Sequence, residues 1–213
     1  MAIKINEIYF SIQGESTHTG RPCVFIRLTY CNLRCTYCDT EHAFYEGEDM
    51  TIKQILSKIK VWNCNLIEVT GGEPLFQKEC IDLLNELIGH NYEVLLETGG
   101  SLPIDKVPKS VKKIVDFKCP SSGMVKKNLW SIVHDLQPHD EVKFVIGNRE
   151  DFDWSKNIIE QYKLNEKCEL LMSPTYGQID PESLVNWILE INLPVRIQLQ
   201  IHKIIWDHNK KGV

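Results

Sequence analysis

The sequence lacks any run of about 18 apolar residues, so no segment is expected to cross a membrane. It also lacks an excess of positive charge, since 24 lysines and arginines stand against 29 aspartates and glutamates, for a formal net charge of −5. Without a dense basic stripe, direct binding to nucleic acid is not expected. The first residues become polar at Lys4, too early for a signal peptide. These absences favour a cytoplasmic protein.

The chain has 213 residues, of which 43% are hydrophobic, and this is enough to bury the core of one domain spanning residues 1–213. Eight cysteines are present, but their uneven spacing does not resemble the dense framework of a small secreted protein. Cys31, Cys35 and Cys38 are bunched, whereas the other five are scattered. Bunched cysteines in a reducing compartment indicate metal or redox chemistry.

Short, mostly apolar runs alternate with segments of helical periodicity, which predicts βαβ units and a mostly parallel sheet. The predicted strands are 23–28, 66–69, 93–96, 113–117, 142–146, 169–172 and 195–199. The predicted helices are 51–62, 76–87, 129–136, 154–164 and 181–191. Pro103 and Pro108 weaken any helix between the third and fourth strands. The pattern predicts an α/β fold of the incomplete, TIM-like β/α barrel type.

Polar or glycine-rich segments follow most of the predicted strands. They are 29–31, 70–74, 97–100, 118–120, 173–176 and 200–203. Because active sites of β/α folds gather at the carboxyl ends of the strands, these segments predict one shared site.

The first of these segments leads into Cys31-Asn32-Leu33-Arg34-Cys35-Thr36-Tyr37-Cys38, with C-x-x-x-C-x-x-C spacing. A 4Fe–4S cluster normally takes four thiolates, so three local ones would leave one iron open to another ligand. Structural zinc is an alternative, with His42 or Cys23 as a fourth ligand.

The cysteine loop resembles that of the radical S-adenosylmethionine (SAM) enzymes, whose open iron is chelated by SAM. Tyr37 matches the family's aromatic position near the adenine, and Asp39, directly after the third cysteine, is assigned to the same cofactor. Gly72 and Glu73, within Thr70-Gly71-Gly72-Glu73-Pro74, are similar to the family motif that meets the SAM amino group. Glycine permits close approach of the backbone, and a carboxylate or carbonyl accepts a hydrogen bond from the ammonium.

Further segments resemble the 7-carboxy-7-deazaguanine synthases. They are Phe10-Ser11-Ile12-Gln13-Gly14-Glu15-Ser16, Gly20-Arg21-Pro22, Phe25-Ile26-Arg27-Leu28, Cys38-Asp39-Thr40, Glu97-Thr98-Gly99-Gly100 and the end of the chain from Gln200-Ile201-His202-Lys203 to Val213. The resemblance implies a lyase of queuosine and 7-deazapurine biosynthesis that converts 6-carboxy-5,6,7,8-tetrahydropterin to 7-carboxy-7-deazaguanine and ammonia. It also implies hydrogen abstraction at C6 by a 5′-deoxyadenosyl radical, followed by ring contraction, with Mg²⁺ as a further cofactor.

The resemblance carries roles to individual positions. Substrate contacts are expected from Ile12, Gln13, Gly14, Arg27, Thr70, Glu97, His202 and Val213. Further SAM contacts are expected from Asp116, Lys118, Ser173, Pro174, Thr175 and Tyr176. Many relatives carry Ser-Pro-Lys where this chain has Asp116-Phe117-Lys118. Thr40 is expected to bind the magnesium ion, which prefers oxygen ligands.

Two other functions fit the cysteine spacing. A glycyl-radical-enzyme activase would act on a protein through an exposed groove, and a non-catalytic zinc- or cluster-binding protein would not cleave SAM. The resemblance further implies a flavodoxin- or ferredoxin-like reductant and a homodimer.

Overall fold

The computed structural model describes residues 2–208 and 210–213. One sheet of nine strands runs through the described chain, in the order β3-β1-β2-β4-β5-β6-β7-β8-β9. The strands are β1 Ala2–Ile12, β2 Pro22–Leu28, β3 Glu48–Thr51, β4 Leu66–Gly71, β5 Glu93–Thr98, β6 Lys112–Phe117, β7 Glu141–Ile146, β8 Glu169–Pro174 and β9 Val195–Ile197. From β2 to β9 all neighbours are parallel, and β1 is antiparallel to both β2 and β3.

The predicted incomplete β/α barrel is confirmed. Within the described residues the sheet does not close on itself, since β3 and β9 are its two edge strands, and the fold matches a solved structure. Every predicted strand is present. The antiparallel pair β1 and β3 was not predicted. In β1, Ile3, Ile5 and Ile8 are buried between more exposed residues, so this strand alternates instead of forming the continuous apolar run expected of a parallel strand.

Five α-helices occur in the described chain: α1 Ile52–Ile59, α2 Cys80–Gly89, α3 Arg149–Tyr162, α4 Pro181–Glu190 and α5 His202–Ile205. At α1 the Thr51 hydroxyl accepts from the Gln54 amide while the Gln54 side chain accepts from the Thr51 amide, a capping box. At α4 the Asp180 carboxylate caps Glu182 and Ser183, and Pro181 occupies the first turn.

Three predicted helices were wrong in extent or type, and the first is the helix predicted from residue 76, which begins at Cys80. The helix predicted from residue 154 begins at Arg149, because the Asn148 side chain accepts from the Asp151 amide at 2.9 Å and caps it there. The predicted helix 129–136 is only a short 3₁₀ segment, Trp130–His134. Its apolar residues pack against the core, where the Trp130 ring stacks on Tyr162 of α3 with centroids 4.8 Å apart. The connection between β5 and β6 contains no α-helix, as its prolines predicted.

The helices cover the sheet around one large apolar core, which runs from Ile3 in β1 to Leu184 in α4. Burial of this surface is the main stabilising contribution to the fold. None of the helices in the described part of the chain combines the length and hydropathy that a membrane span requires.

Candidate active site

A cavity of about 750 Å³ lies at the carboxyl ends of the parallel strands. Its lining brings together segments that are far apart in sequence, from Glu7 in β1 to Val213. Of the predicted site residues, all except Glu73 line it: Ile12, Gln13, Gly14, Arg27, Cys31, Cys35, Tyr37, Cys38, Asp39, Thr40, Thr70, Gly72, Glu97, Asp116, Lys118, Ser173, Pro174, Thr175, Tyr176, His202 and Val213. The strand-end rule therefore located the cavity.

The cysteine loop follows β2 and forms one wall. The Leu33 amide donates to Cys31 Sγ at 3.4 Å, and the Cys38 amide donates to the Cys35 carbonyl at 3.3 Å. Burial raises the pKa of the Cys31 and Cys38 thiols and raises that of Cys35 to about 11, with Lys118 opposing each shift. Metal binding to these groups is therefore coupled to loss of their protons.

The three thiols do not converge on one point, since no three His, Cys, Asp or Glu side chains in the described residues surround a single ion position. A 4Fe–4S cluster takes each thiolate on a different iron, so a spread arrangement fits it.

Gly72 lets the end of β4 press against the cysteine loop. A Cβ at this position would lie 2.4 Å from the Tyr30 carbonyl oxygen and 2.7 Å from the Cys31 Cβ. Tyr30 itself has a φ of +78°, which orients the start of the loop. A side chain at position 72 would therefore displace the first cysteine.

Four buried side-chain polar atoms in the described chain have no hydrogen-bond partner: Tyr37 Oη, His42 Nε2, Asp116 Oδ1 and Thr175 Oγ1. All four residues line the cavity. His42 Nε2 has the Glu7 carboxylate 3.5 Å away. Buried polar groups are nearly always paired, so the other three atoms mark the part of the cavity where a polar ligand fits best. A molecule with hydroxyl, amino and carboxylate groups, such as SAM, fits a wall that holds a phenol, a hydroxyl and a carboxylate.

Glu73 is the predicted SAM-contacting residue that does not line the cavity, and its contact with SAM stays a prediction. Its carboxylate is fully buried behind the wall and accepts from the Gly99 amide at 2.7 Å, the Leu75 amide at 3.1 Å and the Thr98 hydroxyl at 2.9 Å. Three of its roughly four acceptor sites are therefore used within the protein. Glu73 joins the end of β4 to the end of β5 and so shapes the wall without lining it.

The opposite wall begins in the connection between β1 and β2, residues 13–21. The Thr17 amide donates to Glu141 at 3.1 Å and the His18 ring lies 3.0 Å from Glu93, so this connection contacts the first residues of β5 and β7. The middle of the connection thus contacts the amino ends of these strands, while Gln13 and Gly14 line the cavity.

Arg27 lies in β2 directly opposite Glu7 in β1. Its Nε donates to Glu7 Oε1 at 2.8 Å, and its terminal nitrogen donates to the Tyr9 hydroxyl at 3.1 Å. Burial lowers the pKa of Arg27, but the Tyr9 and Glu7 charges outweigh it and raise the pKa overall. Arg27 is thus a permanent cation with further N–H donors on the cavity.

Two residues important to the cavity floor were missed from the sequence. Lys143 in β7 is almost fully buried and donates to Glu15 Oε2 at 3.0 Å and to Glu97. Glu15 also accepts from Gln198 at 2.9 Å and from Gln200 at 2.8 Å. A lysine inside the apolar run Val142-Lys143-Phe144-Val145 is the one sequence signal for this group, since a buried lysine needs a charged partner.

The segment after β9 covers part of the cavity. The Ile201 amide donates to the Gly14 carbonyl at 3.1 Å, and Lys203 donates to Asp39 at 2.6 Å. Burial lowers the pKa of the His202 imidazole, which favours its neutral form. The Thr40 hydroxyl donates to the other Asp39 oxygen at 2.9 Å, so an oxygen-rich corner lies at the end of the cysteine loop.

Comparison with known proteins identifies this arrangement. The family model of the radical SAM superfamily matches residues 25–166. A 7-carboxy-7-deazaguanine synthase from Koribacter versatilis is 42% identical and covers 99% of this chain and 100% of its own length. One from Chlorobaculum tepidum is 41% identical, with coverage of 99% and 97%, and one from Clostridium acetobutylicum is 37% identical, with both chains covered completely.

Solved structures show the same fold. The crystal structure of QueE from Escherichia coli has a TM-score of 0.78 at 19% identity and covers 93% of this chain and 94% of that one. Streptococcus suis SuiB bound to SAM has a TM-score of 0.54 at 13% identity, covering 80% of this chain and 45% of its own.

The 4Fe–4S cluster and SAM are the cofactors of the matched superfamily, and the three cysteines and the wall of unpaired polar atoms fit them. The activase and the non-catalytic alternatives receive no support from the relatives. The sequence resemblance is confirmed, and the chain belongs to the 7-carboxy-7-deazaguanine synthase family of the radical SAM superfamily.

Proposed function

We propose that this chain converts 6-carboxy-5,6,7,8-tetrahydropterin to 7-carboxy-7-deazaguanine with release of ammonia. The observation that carries the proposal is the single cavity in which the cysteine loop faces Arg27, Glu97 and the connection 13–21. The cofactor site at the cysteine loop therefore faces the substrate site across one cavity, and a cofactor and a small substrate fit there side by side. Bound at the cysteine loop, the cluster and SAM would supply the radical chemistry that hydrogen abstraction from C6 of the pterin requires.

The cofactor wall consists of the strand ends nearest the cysteine loop. Cys31, Cys35 and Cys38 would hold the cluster, and Gly72, which lets the chain after β4 lie against the first cysteine, would meet SAM. Tyr37, Asp39, Asp116 and Lys118 orient SAM, together with the turn from Ser173 through Pro174 and Thr175 to Tyr176. The unpaired oxygens of Tyr37, Asp116 and Thr175 support these roles.

The substrate wall consists of the opposite strand ends and the two segments that close over them. Arg27 binds the substrate carboxylate, because a guanidinium matches two carboxylate oxygens at once. The Thr70 hydroxyl donates to Glu97 at 3.1 Å, so both residues offer acceptor oxygens at the pterin edge. Further contacts come from Ile12, Gln13, Gly14, His202 and Val213, all on the cavity lining.

Thr40 supplies an oxygen ligand to Mg²⁺, which keeps water and substrate oxygens as its other ligands. Its place on the cavity between the cysteine loop and the substrate wall supports this role. The metal would then help to hold the substrate beside SAM.

The proposal includes a flavodoxin- or ferredoxin-like reductant, a homodimer and a cytoplasmic location. All eight cysteines are free thiols. Free thiols and an iron–sulfur cluster both suit a reducing compartment, which supports this location.

An anaerobic turnover assay tests the proposal. The reconstituted protein is given SAM, Mg²⁺, reductant and 6-carboxytetrahydropterin, and the product is measured by mass spectrometry. We expect 7-carboxy-7-deazaguanine in excess of SAM consumed, because the hydrogen returns to the cofactor. Slow formation of 5′-deoxyadenosine without product would show that the substrate is a different one.

Alanine at Cys31, Cys35 or Cys38 is expected to abolish SAM cleavage in the same assay, because two thiolates do not hold the cluster. Cys168→Ala is the matched control, since this half-buried free thiol lies outside the cavity lining. Retention of full SAM cleavage by any of the three loop variants would contradict the cluster assignment.

A further inference from the structure

Lys143 is a buried cation in the middle of β7, at the floor of the cavity. Its side chain is 5% exposed, yet its ammonium faces carboxylates from three different parts of the chain. Nζ lies 3.0 Å from Glu15 Oε2, donates to Glu97, and lies 3.8 Å from Asp116 Oδ2. Two of the three N–H donors of the ammonium bond to Glu15 and Glu97, whereas the Asp116 oxygen lies beyond hydrogen-bond distance. Glu15 and Glu97 are therefore the groups that Lys143 orients through hydrogen bonds.

The three carboxylates depend on Lys143 to different degrees. Asp116 has an ammonium of its own, because Lys118 Nζ lies 2.8 Å from the same oxygen. Glu15 has two neutral amide donors, Gln198 and Gln200, and Glu97 has the neutral Thr70 hydroxyl. Lys143 is thus the cation that Glu15 and Glu97 share, while Asp116 retains Lys118 without it.

Glu15 and Glu97 would otherwise repel each other. Burial opposes the ionisation of Glu15, yet the Lys143 ammonium lowers its pKa to about 2. A like charge nearby and a low-dielectric surrounding both favour protonation or rotation of an unpaired carboxylate. Lys143 also fixes the positions of β5 and the connection 13–21, since it bonds to one carboxylate from each.

We propose that Lys143 is a positioning residue for the substrate: it holds the Glu15 and Glu97 carboxylates side by side, facing the N–H donors of the pterin, and leaves SAM binding to Asp116 and Lys118. This inference rests on the proposed function. It predicts that loss of the ammonium weakens the pterin site selectively. SAM binding is expected to be unaffected, because Asp116 keeps its ion pair with Lys118.

Lys113 offers a matched control on the neighbouring strand β6. It is 2% exposed and its Nζ lies 2.9 Å from the fully buried Asp140. Lys113 lies outside the cavity lining. Substitution of either lysine by methionine leaves a buried carboxylate without its cation, which destabilises the fold in both cases. Only Lys143→Met is expected to affect the substrate.

The experiment compares wild type, Lys143→Met and Lys113→Met as reconstituted holoenzymes. KM for 6-carboxytetrahydropterin and kcat are measured at saturating SAM, and SAM affinity is measured separately by calorimetry without pterin. For Lys143→Met we expect KM to rise about tenfold or more, as for lost charge-assisted hydrogen bonds, with SAM affinity within about twofold of wild type. Lys113→Met is expected to keep the KM of wild type while its melting temperature falls.

Each outcome decides the question. An unchanged KM in a folded Lys143→Met variant would overturn the proposal and leave Lys143 a purely structural role. Equal loss of SAM and pterin binding would also overturn it, because the two walls would then depend on the same cation. If Lys143→Met does not fold, the same measurements are made on Lys143→Gln. Its side-chain amide still donates hydrogen bonds to the two glutamates but has no charge. A rise in its KM supports the proposal, and an unchanged KM overturns it.

The wild type separates this test from that of the proposed function. If wild type forms no product from the pterin, the proposed function fails before the variants are compared. If wild type turns over and Lys143→Met matches it in KM, only the role of Lys143 fails.

Discussion

At the scale of single residues, the carboxyl of Glu68 sits deepest among the acidic groups of the cavity floor. It is 3% exposed, and its hydrogen-bond donor is the Gln13 side chain. Burial raises the pKa of Glu68 well above its usual value, and the negative charges of Glu97 and Glu15 raise it further. The folded state therefore binds the Glu68 proton more tightly than the unfolded chain does.

The sign of the resulting pH dependence follows from linkage. Below the ordinary glutamate pKa of about 4.5 both states hold the proton, and Glu68 adds no penalty. As pH rises above that value the unfolded chain releases its proton first, so the free energy of unfolding falls. We expect Glu68→Gln to raise the melting temperature at pH 8 by about 2–4 °C, with the difference vanishing near pH 4.5.

Thermal unfolding of the apo-protein at the two pH values checks this expectation. Glu160→Gln, at an exposed position of α3, is the control and is expected to change little at either pH. A lower melting temperature for Glu68→Gln at pH 8 would mean that the charged carboxylate is stabilised in the fold.

Thr40 tests the magnesium assignment at the same scale. We expect Thr40→Ala to weaken the response of turnover to Mg²⁺, because one oxygen ligand is lost, while the absorbance of the cluster stays unchanged. Thr36→Ala is the matched control, since Thr36 lies in the same loop but donates to the Ser121 carbonyl at 2.8 Å, outside the cavity lining. Identical magnesium titrations for both variants would argue against Thr40 as a ligand.

At the scale of elements, the substrate wall is made by two segments that close over the barrel from opposite ends of the sequence. The connection 13–21 and the segment after β9 meet where the Gly14 carbonyl accepts from the Ile201 amide. The Ser16 amide also donates to the Gln198 side chain at 2.8 Å. The two segments are thus held to each other as well as to the sheet.

At Gly14 there is no room between the two segments for a side chain. A Cβ there would lie 2.1 Å from His202 Nδ1, so alanine must turn the imidazole away. We expect Gly14→Ala to reduce kcat/KM for the pterin about tenfold, because a small misplacement of a binding group is costly. The cluster absorbance is expected to match that of wild type.

The control for this measurement is a glycine-to-alanine variant in which the added Cβ contacts no neighbouring atom. Gly89 at the end of α2 has open space where its Cβ would be, and alanine there favours the helix. Equal kcat/KM for Gly14→Ala and Gly89→Ala would show that the contact with His202 does not shape the pterin site.

At the scale of the whole molecule, one sheet and one principal core extend through the described chain. Elements from both halves contribute to that core, including Ile3 in β1, Val115 in β6 and Leu184 in α4. This continuity supports the proposal of a single domain over residues 1–213, since domains each bury a core of their own.

The apo-protein is therefore expected to unfold in urea as one cooperative unit. Tryptophan fluorescence reports on Trp62, Trp130, Trp154, Trp187 and Trp206, which are spread along the chain, and circular dichroism reports on the helices. Both signals are expected to give the same midpoint. Two separated transitions would contradict the single domain.

Several features of the molecule were predictable because they depend on neighbouring residues. The cysteine loop is defined by spacing along the chain, and the parallel strands by short apolar runs that must be buried on both faces. The rule that polar strand ends share one edge then placed the site. The helix predicted at 129–136 failed because its apolar residues pack as a 3₁₀ segment.

The sequence by itself determined the metal-binding loop, the parallel strands and the family, since each follows from local pattern or from similarity along the chain. The tertiary structure alone decided that Lys143 pairs with Glu15, 128 residues away, and that Glu73 turns into the protein. It also decided that Gly14 meets His202. Such contacts form because strand ends that are far apart in sequence meet around the barrel. The spacing of residues along the chain does not indicate which of them come together.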